Sequence, residues 1–272
     1  MQDKSTLEDT LALMRDLRRR CEWDRAQTHE SLRPYLIEEA YEVDDAIQHL
    51  ASGGDSGTLR DELGDLLLQV VFHAVVAEER GAFDLHDVAH ALVTKMRARH
   101  PHLYPPEGTD APAERPNWEG QKARTRRSID QGLPAALPAL HRAHRLQDRA
   151  AGVGFDWPDA DGPADKVAEE LAEVRVELAR RPAPPSRETV APADDPHHAA
   201  LEAELGDLLF ACVNLCRKAG VHASLALDKA NAKFAARFGA VERLAAERGI
   251  DVGTAGLAVL DGLWDEVKAR GP

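Results

Sequence analysis

Apolar positions recur at the helical period along most of the chain. Leu7, Leu11, Met14 and Leu17 fall three and four apart, so residues 5–20 predict an amphipathic helix. Pro34 stands where a first-turn proline belongs, at the head of a helix running to about Leu50. The stretch SGGDSG at 52–57 interrupts the pattern and predicts a turn. A longer apolar helix follows from Thr58 to about Arg80, ended by Gly81, and another from Asp84 to Arg99, stopped by Pro101. Residues 101–117 carry five prolines and predict a loop. Helices are predicted again over 137–150, from Pro163 to before Pro182, and at about 198–219, 222–248 and 255–269. The proline-rich segment 181–196 predicts irregular chain. No stretch sustains strand alternation, so the fold class is all-α.

The pattern is written twice. ELGDLL occurs at 62–67 and again at 204–209. EEAYE at 38–42 is echoed by EELAE at 169–173, and Trp23–Asp24 by Asp156–Trp157 with the order reversed. Lys95 and Arg99, four apart, are echoed by Lys233 and Arg237; Trp118 and Lys122 by Trp264 and Lys268. Five anchors in the same order make the chain a duplicated helical module, with residues 1–130 as the first copy and 131–272 as the second. The extra residues of the second copy fall in the proline-rich segment, where an insertion costs least.

Composition narrows the classes. The formal net charge is −13, which excludes a uniformly basic surface for nucleic acid. Three cysteines (Cys21, Cys212 and Cys216) are too few and too scattered for a disulfide framework, and Cys212 with Cys216 read as small core residues. The N-terminal residues are polar and the longest apolar run, 66–77, is too short to span a bilayer. A cytoplasmic protein with no membrane partner is expected.

The acids carry the chemistry. Glu39 and Glu42 share one helix face, as do Glu62 and Asp65 on the next helix. Helices joined by a short loop pack antiparallel, which brings the two pairs together. Four carboxylates in one cleft repel one another until a cation sits among them. An all-oxygen set selects Mg²⁺, with Mn²⁺ as a substitute, over Zn²⁺. Glu170, Glu173, Glu204 and Asp207 repeat the arrangement. Mg²⁺ of this kind serves phosphates, for which Lys95/Arg99 and Lys233/Arg237 are cationic partners, and Trp118 and Trp264, each with a lysine one turn on, are walls for a base or sugar. Gly64 and Gly206 are expected to admit close helix approach beside the metal. A di-iron carboxylate bundle requires ExxH pairs, and the second acids here are Glu42 and Asp65. A helical module that binds partners without catalysis is the remaining alternative, for one half more than for the whole.

EExxE, a spacer and ExxD together form a motif similar to that of the all-α nucleoside triphosphate pyrophosphohydrolases, and the chain resembles the two-domain MazG family. WDRAQTHESL, EEAYEVDDAI, ELGDLLLQVVFHA and RARHPHLY carry the resemblance in the first half; VGFDW, EELAEV, ELGDLLFACVNL and ANAKFAARF carry it in the second. The resemblance implies a homodimer of duplicated helical bundles and Mg²⁺-dependent hydrolysis of (d)NTPs to NMP and pyrophosphate, by water attack at the α-phosphorus, in a house-cleaning role. It implies Glu170, Glu173, Glu204 and Asp207 as ligands of Mg²⁺, and Glu39, Glu42, Glu62 and Asp65 as their first-half counterparts. Lys166, Lys233 and Arg237 would meet phosphates, Trp264 and Lys268 the base or ribose, and Glu38 or Glu169 would orient the water. The chain departs from the family with Glu22 where the family often has proline, with the 181–196 insertion, and with Ala200 where a lysine can stand.

Overall fold

The computed structural model describes residues 5–109, 118–123, 126–180 and 196–270, and among these every regular element is a helix. The expected irregular segment at 181–196 lies almost wholly outside the described residues, as does the end of the 101–117 loop. The chain divides into two compact units, Met1–Pro116 and Asn117–Pro272.

The first unit holds α1 (Leu7–Arg20), α2 (Glu22–Ala26), α3 (Arg33–Ala51), α4 (Ser56–Glu78) and α5 (Leu85–Arg99). α1 opens on a capping box: the Thr6 hydroxyl accepts from the Asp9 N–H, and the Asp9 carboxylate accepts from the Thr6 N–H at 2.7 Å. Pro34 falls in the first turn of α3, as its position predicts. The C-terminal half of α4 is mostly apolar. Val71, Phe72, Ala74, Val75, Val76 and Ala77 are all buried, which makes it the central helix of the unit. Leu11 and Met14 of α1 and Leu32 pack against it in one cluster. Each such side chain is worth about 1.5–3 kcal/mol when fully removed from water.

Beneath this cluster Arg18 is buried. Its guanidinium donates to the Glu79 carboxylate, to the Asp24 carbonyl and, at 3.0 Å, to the Gln27 carbonyl. It thereby ties the short α2, which the periodicity did not announce, to the end of α4. The chain leaves α4 through Gly81, whose φ of 66° suits a residue without Cβ.

The second unit holds α6 (Trp118–Ala123), α7 (Ala139–Ala151), α8 (Asp161–Arg180), α9 (Pro196–Lys218), α10 (Ala223–Glu247) and α11 (Leu257–Arg270). α8 and α9 pack most extensively, and α7 lies against α9. α10 and α11 close a separate cluster through Val241, Leu244, Ala245, Leu263 and Val267. Arg149 of α7 donates to the carbonyls of Ile129 (2.6 Å) and Gln131 (3.0 Å), which fixes the segment before α7.

Candidate active site

In each unit two helices deliver the acids. Glu39 and Glu42 project from α3, and Glu62 from α4; their carboxylate oxygens lie within 4.8 Å of one another. The Gln69 amide donates to Glu39 at 3.4 Å while Glu42 faces Glu62, so the register runs backwards along α4 and the pair is antiparallel. Burial raises the Glu39 carboxyl above the ordinary range, and the charges of Asp65 and Glu42 raise it further. Asp65 thus reaches the group through its field.

In the second unit Glu170 of α8 meets Glu204 and Asp207 of α9 within the same 4.8 Å. Burial, then the charges of Glu170 and Glu204, raises the Glu173 carboxyl, which places that residue at the edge of the cluster. Glu170 is only 5% exposed. Its compensating charge is Lys166, one turn earlier on α8, whose Nζ stands 2.6 Å from Glu170 and 2.8 Å from Glu169. Both carboxylates raise the Lys166 pKa, Glu169 most. Both clusters are hard-oxygen sets with raised carboxyls, the donor chemistry that suits Mg²⁺ or Mn²⁺.

Beside the second cluster lies a cavity of about 490 Å³. Phe155, Trp157, Phe210, Leu146 and Ile129 give it apolar walls, and Lys166, Glu170 and Asp207 line it too. The carboxylates therefore open directly onto an aromatic-walled chamber of the size small-molecule sites take. Its polar margin is ordered. Arg217 donates to Asp156 at 2.5 and 3.3 Å and, through Nε, to Asn214 Oδ1 at 2.9 Å; Lys218 joins Asp156 at 3.3 Å. The Arg217 hydrogen bond is the main reason the Asp156 carboxyl is held below its ordinary range.

The first unit carries a phenylalanine at the position of Asn214. Phe72 and Asn214 each stand ten residues beyond the first acid of their ExxD pairs. Phe72 is 2% exposed within the core cluster. Trp23 packs edge-on against it, ring centroids 6.5 Å apart, and against Tyr35 at 6.0 Å. Tyr35 also stands four residues before Glu39, where the second unit has Lys166 before Glu170.

The remaining predicted residues are placed as follows. Glu38 is exposed on α3, and the Glu169 carboxylate is engaged by Lys166. Lys95 and Arg99 lie on α5, Lys233 and Arg237 on α10. Trp264 packs on Phe234 at 5.4 Å, within the α10/α11 cluster, and Lys268 is exposed one turn on. Trp118 and Lys122 lie on α6, in the second contact unit. The glycine expectation is corrected: a Cβ on Gly64 or Gly206 would meet nothing within 4 Å in the chain, so neither serves a close approach between its helices.

Sequence reasoning missed Phe155, Phe210, Gln147, Asn214 and Arg217. One signal was present, the asparagine interrupting the apolar run LLFACVNLC where the first copy has phenylalanine.

Comparison with known proteins identifies the family. Residues 27–104 match the MazG nucleotide pyrophosphohydrolase domain. The chain is 42% identical to the nucleoside triphosphate pyrophosphohydrolase of Escherichia coli strain K12 over 263 residues, 94% of each chain. It is 40% identical to the Thermotoga maritima nucleoside triphosphate pyrophosphohydrolase/pyrophosphatase MazG over 267 residues, covering 96% of this chain and 95% of that one. A Bacillus subtilis protein, YabN, is 38% identical over 264 residues, which make up half of its own length.

Proposed function

The chain belongs to the MazG nucleotide pyrophosphohydrolase family, and on that premise we propose that its second unit hydrolyses (d)NTPs to NMP and pyrophosphate. The observation that carries the reading is the shared wall: Glu170 and Asp207 belong both to the carboxylate cluster and to the aromatic-lined cavity. A triphosphate at the acids then has its nucleoside in the cavity.

Glu170, Glu173, Glu204 and Asp207 would hold Mg²⁺, with Mn²⁺ as a substitute. The ion supplies charge neutralisation along the triphosphate and polarisation at the attacked phosphorus. Lys166 meets a phosphate oxygen on leaving Glu169, and the freed Glu169 carboxylate accepts the proton of the attacking water. Phe155, Trp157 and Phe210 enclose the base and keep bulk water from it. Lys233 and Arg237 serve the departing pyrophosphate, and Trp264 with Lys268 the outer edge of the nucleoside.

The chain acts as a homodimer in this reading. Leu171 and Leu178 on α8 and Leu205 and Leu209 on α9 leave an exposed apolar stripe that a second copy would cover. No described helix is long and apolar enough to cross a membrane, which suits a role in clearing the cytoplasmic nucleotide pool. The first unit retains Glu39, Glu42, Glu62 and Asp65 as a cation site, with Lys95 and Arg99 on α5 as its repeat partners, and Phe72 with Trp23 packed on it stands where a base would lie.

The test is pyrophosphate release from a panel of NTPs and dNTPs with Mg²⁺, comparing wild type, Glu39→Ala and Glu170→Ala. Glu170→Ala is expected to lose at least about a hundredfold, as removal of one charge-stabilising group does, and Glu39→Ala to retain most activity. Full activity in Glu170→Ala overturns the assignment of the site.

A further inference from the structure

We propose that Gln147 and Asn214 read the hydrogen-bonding edge of the nucleobase, Asn214 as a fixed donor and Gln147 as a fixed acceptor; the inference rests on the second unit being the nucleotide site. Both side chains line the cavity, at 5% and 7% exposure. Their neighbours settle which way each amide faces. Gln147 Nε2 donates to the Phe210 carbonyl at 2.8 Å, and reversing the amide would set oxygen against oxygen. That leaves Gln147 Oε1 buried with no partner. Asn214 Oδ1 accepts from Arg217 Nε at 2.9 Å, and Arg217 is held in turn by Asp156. Reversal would put the Asn214 NH₂ against the guanidinium. Asn214 Nδ2 makes no hydrogen bond among the described residues.

The two amides are neighbours. Asn214 follows Phe210 by one turn of α9, so the carbonyl that holds Gln147 belongs to the turn that carries Asn214. A buried acceptor without a partner costs about 1–3 kcal/mol, and the first unit shows that this helix position packs well with phenylalanine. Two amides kept at the rim of an aromatic chamber, one with a spare donor and one with a spare acceptor, match the adjacent acceptor and donor on a base's Watson–Crick edge. Stacking walls with edge-reading polar groups are how unpaired bases are recognised.

The test uses the full chain and two substrate pairs, ATP against 1-deaza-ATP and CTP against 3-deaza-CTP, in which a C–H replaces the ring acceptor. Wild type is expected to have about tenfold lower kcat/KM on the deaza member, chiefly through KM, as loss of one hydrogen bond produces. Asn214→Asp keeps the volume and the Arg217 contact but turns the donor into an acceptor. It should lower kcat/KM on the parent nucleotide and erase the difference within each pair. Equal wild-type rates within both pairs, or an undiminished difference in Asn214→Asp, overturn the proposal. If wild type releases pyrophosphate from no triphosphate, the function itself falls, whereas equal rates in an active enzyme remove this inference alone. Should Asn214→Asp not fold, Gln147→Met answers for the acceptor: it should erase discrimination between ATP and purine riboside triphosphate, which lacks the exocyclic amine, and retained discrimination overturns the pairing.

Discussion

Asn214→Phe would give the second unit the side chain that the first already carries at Phe72. The cavity of about 490 Å³ has room for the ring, so the overpacking penalty of a full core does not apply. Burying a phenylalanine contributes about 1.5–3 kcal/mol. Against it stands the lost hydrogen bond from Arg217 at 2.9 Å, a charged-donor bond of about 1.5–3 kcal/mol, while Arg217 keeps Asp156. The two nearly cancel, and the variant should unfold within about 1.5 kcal/mol of wild type. Turnover should behave otherwise. With the chamber filled, kcat/KM for nucleoside triphosphates should fall at least about a hundredfold, the cost of losing the contacts that orient the substrate. Urea unfolding followed by circular dichroism gives the first quantity, and pyrophosphate release the second. A folded variant with wild-type turnover would show that the substrate does not use this cavity. A stability loss beyond about 3 kcal/mol would refute the packing argument instead.

Three further outcomes are expected. Glu39 and Glu173 have raised carboxyls, so the metal-free fold loses stability as pH rises above the ordinary glutamate range and both ionise; the Tm increment given by MgCl₂ should grow from pH 5 to pH 7, and an increment that shrinks would falsify the shared-cation reading. His141, His144 and His222 meet with ring centroids 4.9 and 4.6 Å apart; burial depresses His141 and His144 against the opposing pull of Asp148 on His144, with Arg145 and Arg217 adding to the depression. The contribution of neutral His141 and His144 is complete above about pH 6.5 and is lost as pH falls below that value through their depressed folded-state values, so Tm should drop towards pH 5 and His144→Gln should flatten the drop; an equally steep profile in the variant would count against it. Gly64→Ala adds a Cβ in open space on α4 and should raise stability by up to about 1 kcal/mol in urea titrations, whereas destabilisation would show that something packs on that face.

The long helices were legible because their apolar spacing and their proline and glycine stops agree. α2 and α6 were not, since five or six residues do not complete the period. The acids were legible as pairs because a helix places i and i+3 side by side whatever surrounds it. What the pattern did not reveal was which aromatics line the cavity that Glu170 and Asp207 share. Trp264 has its ring against Phe234, and Trp157 and Phe155 wall the cavity from a turn before α8. Side chains in turns take their direction from tertiary contacts, here Lys218 donating to the Trp157 carbonyl at 2.6 Å and Arg217 to Asp156. Gly64 and Gly206 misled for a related reason: a glycine inside a helix signals a missing side chain, not what lies opposite it.

Lys166 places an ammonium against Glu170 before any cation arrives. A divalent ion entering alone meets that positive charge, and a nucleotide entering alone meets four acids. Together, the phosphate gives the lysine another anion and the ion neutralises the acids, so each ligand removes the obstacle facing the other. Thermodynamic linkage then requires the gain to be the same in both directions. On the proposed assignment, the affinity for Mg²⁺ measured without nucleotide would understate the working affinity, and the site would be tuned to the metal–nucleotide complex rather than to either component by itself.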